Sequence, residues 1–260
     1  MWNTFVKHYN RFLLLFLHTG AITALIVTDE LLLLLAIAIP LHILSKGIIS
    51  TIYHKLWCHN IFKPKRWVNT FGLVVGWLNF FSTPKQYVVT HWQHHKYVNT
   101  PKDHLYPGHH WRFRYFPWIF GKANQQFPDV VKEGRELGGR FVKLNPWCKN
   151  INLEKRMAFI TAVYLLIYAV SPFLFGAMLV CASMTMIGGY ITNVTPHRFN
   201  RRKEAIVIDS PLRQTILFNT EMMHQQHHEN ASIDFGTGIA RRYFDLIKFL
   251  LTDSSLPSNP

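Results

Sequence analysis

Apolar and polar residues fall into long blocks along this chain rather than into short periods. Phe12 to Thr28 carries no charged residue, Asp29-Glu30 interrupts, and Leu31 to Ser45 is again uncharged. Downstream, the whole stretch from Met157 to His197 lacks Lys, Arg, Asp and Glu, with Ser171-Pro172 dividing it. A helix needs about 20 apolar residues to cross a bilayer and can extend past its uncharged part. The pattern therefore predicts four spans near 12–28, 31–50, 157–171 and 173–193, paired in two hairpins with very short outer turns. Lys46 stands where its stem can snorkel at the end of the second span.

A fifth uncharged stretch, Trp67 to Pro84, is also long enough to span. Charge argues against it. No Lys or Arg lies in either outer turn, whereas Lys7 and Arg11 precede the first span and the 85–156 loop is rich in both. The positive-inside rule then puts both termini and that loop in the cytoplasm. Trp67–Pro84 is accordingly read as an interfacial or re-entrant helix, with its aromatic rings at headgroup level. The expected fold is an all-α integral membrane protein, one domain over 1–260, with a helical cytoplasmic cap from 51–156 and 194–255.

Composition agrees. Of 260 residues, 49% are hydrophobic and only 16% charged, well below the roughly 25% charged of soluble domains. The 28 Lys+Arg against 14 Asp+Glu leave +14, which calls for anionic partners. Nucleic acid is not the expected partner, since no recognised binding fold or aromatic-basic motif accompanies the charge. Cys58, Cys148 and Cys181 form no disulfide framework, in keeping with polar parts facing a reducing compartment. The opening "MWNTFVKHYNRF" shows no small-residue cleavage site, so the first apolar run is read as retained.

The predicted cytoplasmic face collects histidines. His54 and His59 follow the second span, and His91, His94 and His95 ("HWQHH") follow the interfacial segment. Asn193 and His197 close the fourth span, and His224, His227 and His228 ("HQQHH") come next. In HxxHH all three rings project from one helix face. The five-residue offset of His54 and His59 turns about 140° around an α-helix, so that pair needs a bend. His8, His18, His42, His104, His109 and His110 receive no role. Nine neutral imidazoles can share two metal ions, with Asn193 reaching one directly or through water. Ligand type alone leaves Zn, Cu, Fe and Ni open. A single zinc needs three or four ligands, which nine exceed, and soluble carboxylate-bridged di-iron bundles use Glu ligands. Glu221, three residues before His224, suits an acceptor orienting an imidazole. A nitrogen-rich di-iron centre at the membrane surface is the natural reading.

With these boxes the chain resembles the membrane-bound fatty acyl desaturases, in particular the Δ9-type acyl-CoA group, over nearly its whole length. The likeness rests on HxxxxH, HxxHH, NxxxH and a final HxxHH preceded by Glu; His224 at the head of the last box argues against front-end desaturases. The resemblance implies two irons held by these residues, dioxygen as co-substrate, and a cis double bond made in a saturated acyl chain lying in a tunnel. It also implies two electrons from a separate donor, a ferredoxin or a b-type cytochrome with its reductase, since no HPGG haem motif is present. The acyl group is carried by coenzyme A, by acyl carrier protein or in a lipid. The location implied is a bacterial inner membrane or the endoplasmic reticulum. Lys55 and Asn60 replace the arginines common in the first box, and "ENASIDFG" replaces an aromatic-Pro pair after the last. Tyr87 and Tyr190 stand where relatives often carry tryptophan beside the reacting carbons. Two other readings stay open: a hydroxylase of the same histidine-box superfamily, and a non-catalytic zinc-handling carrier, which would place ionisable ligands inside the bilayer.

Overall fold

The computed structural model describes residues 2–209, 223–231 and 238–253. It is mostly helical. Helix α1 (Trp2–Val27) and α2 (Leu31–Ile49) form a hairpin around Thr28–Glu30, and α2 continues into a π-helical segment, Ser50–Cys58. A short helix α3 (Val68–Leu78) precedes α4 (Pro84–Tyr97), and α5 (Trp111–Tyr115) and α6 (Pro117–Phe120) are single turns. Then come α7 (Pro128–Leu144), α8 (Leu153–Val170) and α9 (Pro172–Val194). A two-stranded antiparallel hairpin, β1 (His197–Phe199) with β2 (Ala205–Val207), leads to α10 (His224–Glu229) and α11 (Gly238–Leu251).

Among the described residues three helices are long and apolar enough to cross a membrane: His8–Val27, Leu31–Cys58 and Pro172–Val194. Their outer faces expose Phe12, Ile22, Ile26 and Leu32, which is stable only against lipid or another apolar surface. Their inner faces bury Leu17, Ala21, Leu34, Ala38, Ala177 and Val180 in one core shared with Ile160 and Tyr164 of α8. At 18 residues α8 matches a span in length, but Glu154, Lys155 and Arg156 occupy its first turn. Its break from α9 is built by Ser171, whose side chain accepts from the Leu174 N–H at 3.1 Å, and by Pro172 at the first helical position. Helix α3 has 11 residues, about 16 Å of rise against a bilayer core of about 30 Å, so it is too short to cross.

Polar groups join the apolar helices. His18 Nδ1 meets Ser183 Oγ at 2.7 Å, and His42 Nδ1 meets Thr185 Oγ1 at 2.9 Å. Lys46 does not snorkel: it is 5% exposed and donates to Thr192 Oγ1 at 3.3 Å. The reason is packing, since α9 lies against α2 and supplies an acceptor there, the Thr192 hydroxyl.

The Leu31–Cys58 rod runs for roughly 40 Å, longer than a bilayer core of about 30 Å. Helix α3 packs on its C-terminal end through Gly72 and Gly76, where any Cβ would collide with Ile52 and Tyr53. Helix α11 packs on the same region, with Tyr243 Oη donating to the Ile43 carbonyl at 2.8 Å. Helix α4 starts at a capping box: Thr83 accepts from the Gln86 N–H, Gln86 Oε1 accepts from the Thr83 N–H, and Pro84 follows. Helix α7 holds α4 in place, with the Val130 carbonyl accepting from Gln93 Nε2 at 2.6 Å.

Candidate metal centre

The nine box histidines converge from four elements. His54 comes from the π-helical segment, with His59 just past its end; His91, His94 and His95 come from α4, His197 from β1, and His224, His227 and His228 from α10. They form two groups, His54, His59, His91, His95 and His227 in one, and His94, His197, His224 and His228 in the other. Within each group one nitrogen from every ring lies within 4.8 Å of all the others.

Local structure explains the grouping. In a π-helix the hydrogen bonds run from i to i+5, so residues five apart stack over one another. The π-turn thus supplies the bend that the HxxxxH spacing requires, and the His54 and His59 ring centroids lie 5.0 Å apart. Asn60, at φ 52°, ends the segment in the left-handed region that asparagine tolerates. The two HxxHH boxes do not each aim three rings at one point, as their shared face suggests. On α4, His91 and His95 join the first group while His94 joins the second. On α10 the division is reversed, with His224 and His228 in the second and His227 in the first.

The nitrogen contacts suit a cation better than hydrogen bonds. His227 Nε2 lies 2.9 Å from His54 Nε2 and 2.8 Å from His95 Nε2, and His59 Nε2 lies 2.8 Å from His91 Nε2. In the second group His224 Nε2 is 3.0 Å from His197 Nε2 and 3.2 Å from His228 Nε2. A neutral imidazole has one N–H, so three converging nitrogens cannot satisfy one another. Metal–imidazole bonds of about 2.1 Å place neighbouring ligand nitrogens about 3 Å apart at right angles, which is the observed spacing. Burial first, then mutual repulsion, holds His91, His197, His227 and His228 well below the usual imidazole range and brings His95 to about 2. All five are therefore neutral at pH 7, the form that binds metal.

Asp103 is the member that motif reading missed. It is buried and lies 3.0 Å from His94 Nδ1 through both oxygens, and Oδ1 also accepts from the Leu105 N–H at 3.0 Å. Burial pushes its carboxyl up, but the charge and hydrogen bond of His94, with help from His104, outweigh that and hold it below its ordinary value. An ionised Asp103 only accepts, so His94 carries its proton on Nδ1 and presents a bare Nε2, which is buried and has no hydrogen-bond partner among the described residues. The sequence held a signal: Asp103 is the sole acidic residue between Glu30 and Asp129.

A cavity of about 780 Å³ runs along this centre, with His91 and His94 in its wall. Tyr87, Tyr190 and Asn193 line it as well. The Tyr87 ring stacks parallel to His91 at 6.2 Å between centroids. Asn193 donates from Nδ2 to the Gly189 carbonyl at 2.6 Å, an attachment within its own helix. Arg11, Lys46, Lys85, Arg114, Lys122, Arg135 and Arg156 line the same space, with no acidic residue among the described lining. Arg156 is buried and donates to the Phe80 and Phe81 carbonyls and to Asn10 Oδ1. Glu221 lies outside the described residues.

The comparisons place the chain. Over 93 residues it is 29% identical to the acyl-CoA Delta(11) desaturase of Spodoptera littoralis, a stretch that makes up 36% of this chain and 27% of that relative. The family model for fatty acid desaturases matches residues 30–236, which takes in all four histidine boxes. The chain, a helical membrane protein with two clustered histidine groups, belongs to the fatty acid desaturase family.

Proposed function

We propose that this protein is an O2-dependent acyl desaturase that introduces a cis double bond at Δ9 of a saturated acyl chain presented as its coenzyme A thioester. The observation that carries the reading is the convergence of five and four histidines beside a cavity whose wall includes His91 and His94. Two iron ions, one per histidine group, supply dioxygen activation when bound. Asn193 and Asp103 are the further residues we assign to this centre, Asn193 toward the four-histidine group and Asp103 through His94. Tyr87 and Tyr190 flank the reacting methylenes and exclude water from them. The cationic lining, with no carboxylate among its described residues, suits the phosphates of a coenzyme A headgroup. Helix α8 is the fourth span, its charged first turn sits at the cytoplasmic surface, and α3 lies at the interface.

The test is expression in a host lacking its own desaturase, with a compatible electron donor, followed by mass spectrometry of derivatised fatty acids. Cis-Δ9 C16 or C18 chains are expected. Δ11 products, which would match the name of the Spodoptera littoralis relative, would correct the position while keeping the reaction. Hydroxy acids as the main product would overturn desaturation in favour of oxygen insertion.

A further inference from the structure

The β1–β2 hairpin joins the second histidine group to the protein surface. His197, in β1, is 2% exposed and lies in the group, paired across the ladder with Val207. Beyond it the strand turns outward: Arg198, Phe199, Arg201, Arg202 and Lys203 are exposed, against one acid on the hairpin, Glu204. The tip has a defined shape. Asn200 Oδ1 accepts from the N–H groups of Arg202 at 2.8 Å and Glu204 at 2.9 Å, and Lys203 takes φ 62°. The base is anchored too, since Arg114 donates to the His197 carbonyl at 2.9 Å and Asp209 accepts from Gln225 and Gln226 of α10.

Beside the hairpin lies a surface recess of about 310 Å³, walled by Val98, Asn99, Ile206, Val207, Gln225 and Glu229, with His228 among its lining. His228 is also the least buried ring of its group. A mixed recess, apolar at Val98, Ile206 and Val207 and polar at Asn99, Gln225 and Glu229, with a member of the histidine centre in its lining and a basic hairpin beside it, has the anatomy of a protein interface.

We infer that this hairpin and recess are the docking surface for an acidic one-electron carrier protein, which delivers electrons to the centre past His228. The inference rests on the desaturase reading, whose stoichiometry needs such a partner. Forming the C=C bond breaks two C–H bonds and releases two electrons and two protons from the acyl chain. Reducing O2 to two waters takes four electrons and four protons, so two electrons and two protons come from outside. A carrier with an acidic face is steered to the four exposed cations, and the recess lets its cofactor edge approach the histidine group. Anionic lipid headgroups would also meet these cations, but they have no use for a recess lined by His228.

The experiment compares the wild type with the triple variant Arg201→Glu, Arg202→Glu, Lys203→Glu, whose side chains all point to solvent. A double variant at exposed cations elsewhere, Lys143→Glu with Lys149→Glu, is the control. Binding of an acidic plant-type ferredoxin, and separately of a soluble cytochrome b5 domain, is measured in neutral detergent as a function of salt. The triple variant should weaken Kd by about tenfold or more and flatten the salt dependence, and the control should not. The donor KM should rise in parallel, while product formed with dithionite stays unchanged. Equal binding by wild type and triple variant for both carriers overturns the assignment, and so does loss of the dithionite-driven product. If the variant changes only association with anionic vesicles, the surface belongs to lipid and the assignment falls. If dithionite drives no double bond in the iron-loaded wild type while hairpin-dependent carrier binding persists, the desaturase reading fails and the docking surface stands.

Discussion

His94 Nδ1 lies 3.0 Å from both carboxylate oxygens of Asp103, and both side chains are buried. The pair fixes the tautomer and aims Nε2 at the second histidine group. Asp103→Asn keeps the shape but removes the charge, and metal affinity of that group should fall about 10- to 100-fold. Chelator competition followed by metal analysis measures it. Unchanged metal retention would show that Asp103 serves packing alone.

His94 and His227 are each the i+3 member of an HxxHH box, and each sits in the group opposite to its two box neighbours. His94→Ala and His227→Ala should each abolish desaturation and lower bound iron from about two equivalents per chain to about one. His109, whose Nε2 reaches the Asp103 carbonyl at 2.9 Å, should tolerate alanine with a milder loss. Full iron in either variant would show the groups to be drawn wrongly.

A Cβ at Gly76 would stand 2.1 Å from Tyr53 Oη, and Tyr53 precedes His54 in the π-helical segment. Gly76→Val should cost about 1–3 kcal/mol through overpacking and reduce metal in the five-histidine group. A Cβ at Gly139 on α7 would meet nothing within 4 Å among the described residues, so Gly139→Ala should be neutral or stabilise by up to about 1 kcal/mol. Thermal unfolding in detergent, with metal analysis, separates the two.

Stability of the metal-free protein should depend on acid. Burial and then neighbouring rings hold His91 well below its usual value and His95 at about 2, while an unfolded imidazole titrates near about 6.5. Below that pH the unfolded chain binds more protons than the folded one, so stability falls as pH drops. Above it this contribution is complete. Melting temperature should decline between about pH 7 and 5; a flat profile would contradict the depressed values.

His95 Nε2 and His227 Nε2 lie 2.8 Å apart, which requires their two segments to reach the same face of the membrane. Reporter fusions after residues 110 and 253 should both report the cytoplasm. Opposite locations would break the single-centre arrangement and turn the 67–84 stretch into a span.

The sequence alone determines whatever depends on local periodicity and composition. The apolar blocks, the Ser171-Pro172 break and the recurrence of histidines after apolar segments are properties of neighbouring residues, because helix formation and lipid exposure respond to residues within a few turns. Lys46 shows the limit. Its position at a span end suggested snorkelling, yet α9 packs against α2 and Thr192 takes its ammonium. The division of the boxes was equally hidden: a helical face groups i, i+3 and i+4, but which neighbour each ring meets depends on packing between segments 132 residues apart. The π-turn under His54 and His59, the carboxylate of Asp103 on His94, and the basic hairpin beside His228 likewise exist only after the helices close around one another. Tertiary packing decided them, because an imidazole's partners are set by distances of a few ångströms that no one-dimensional spacing contains.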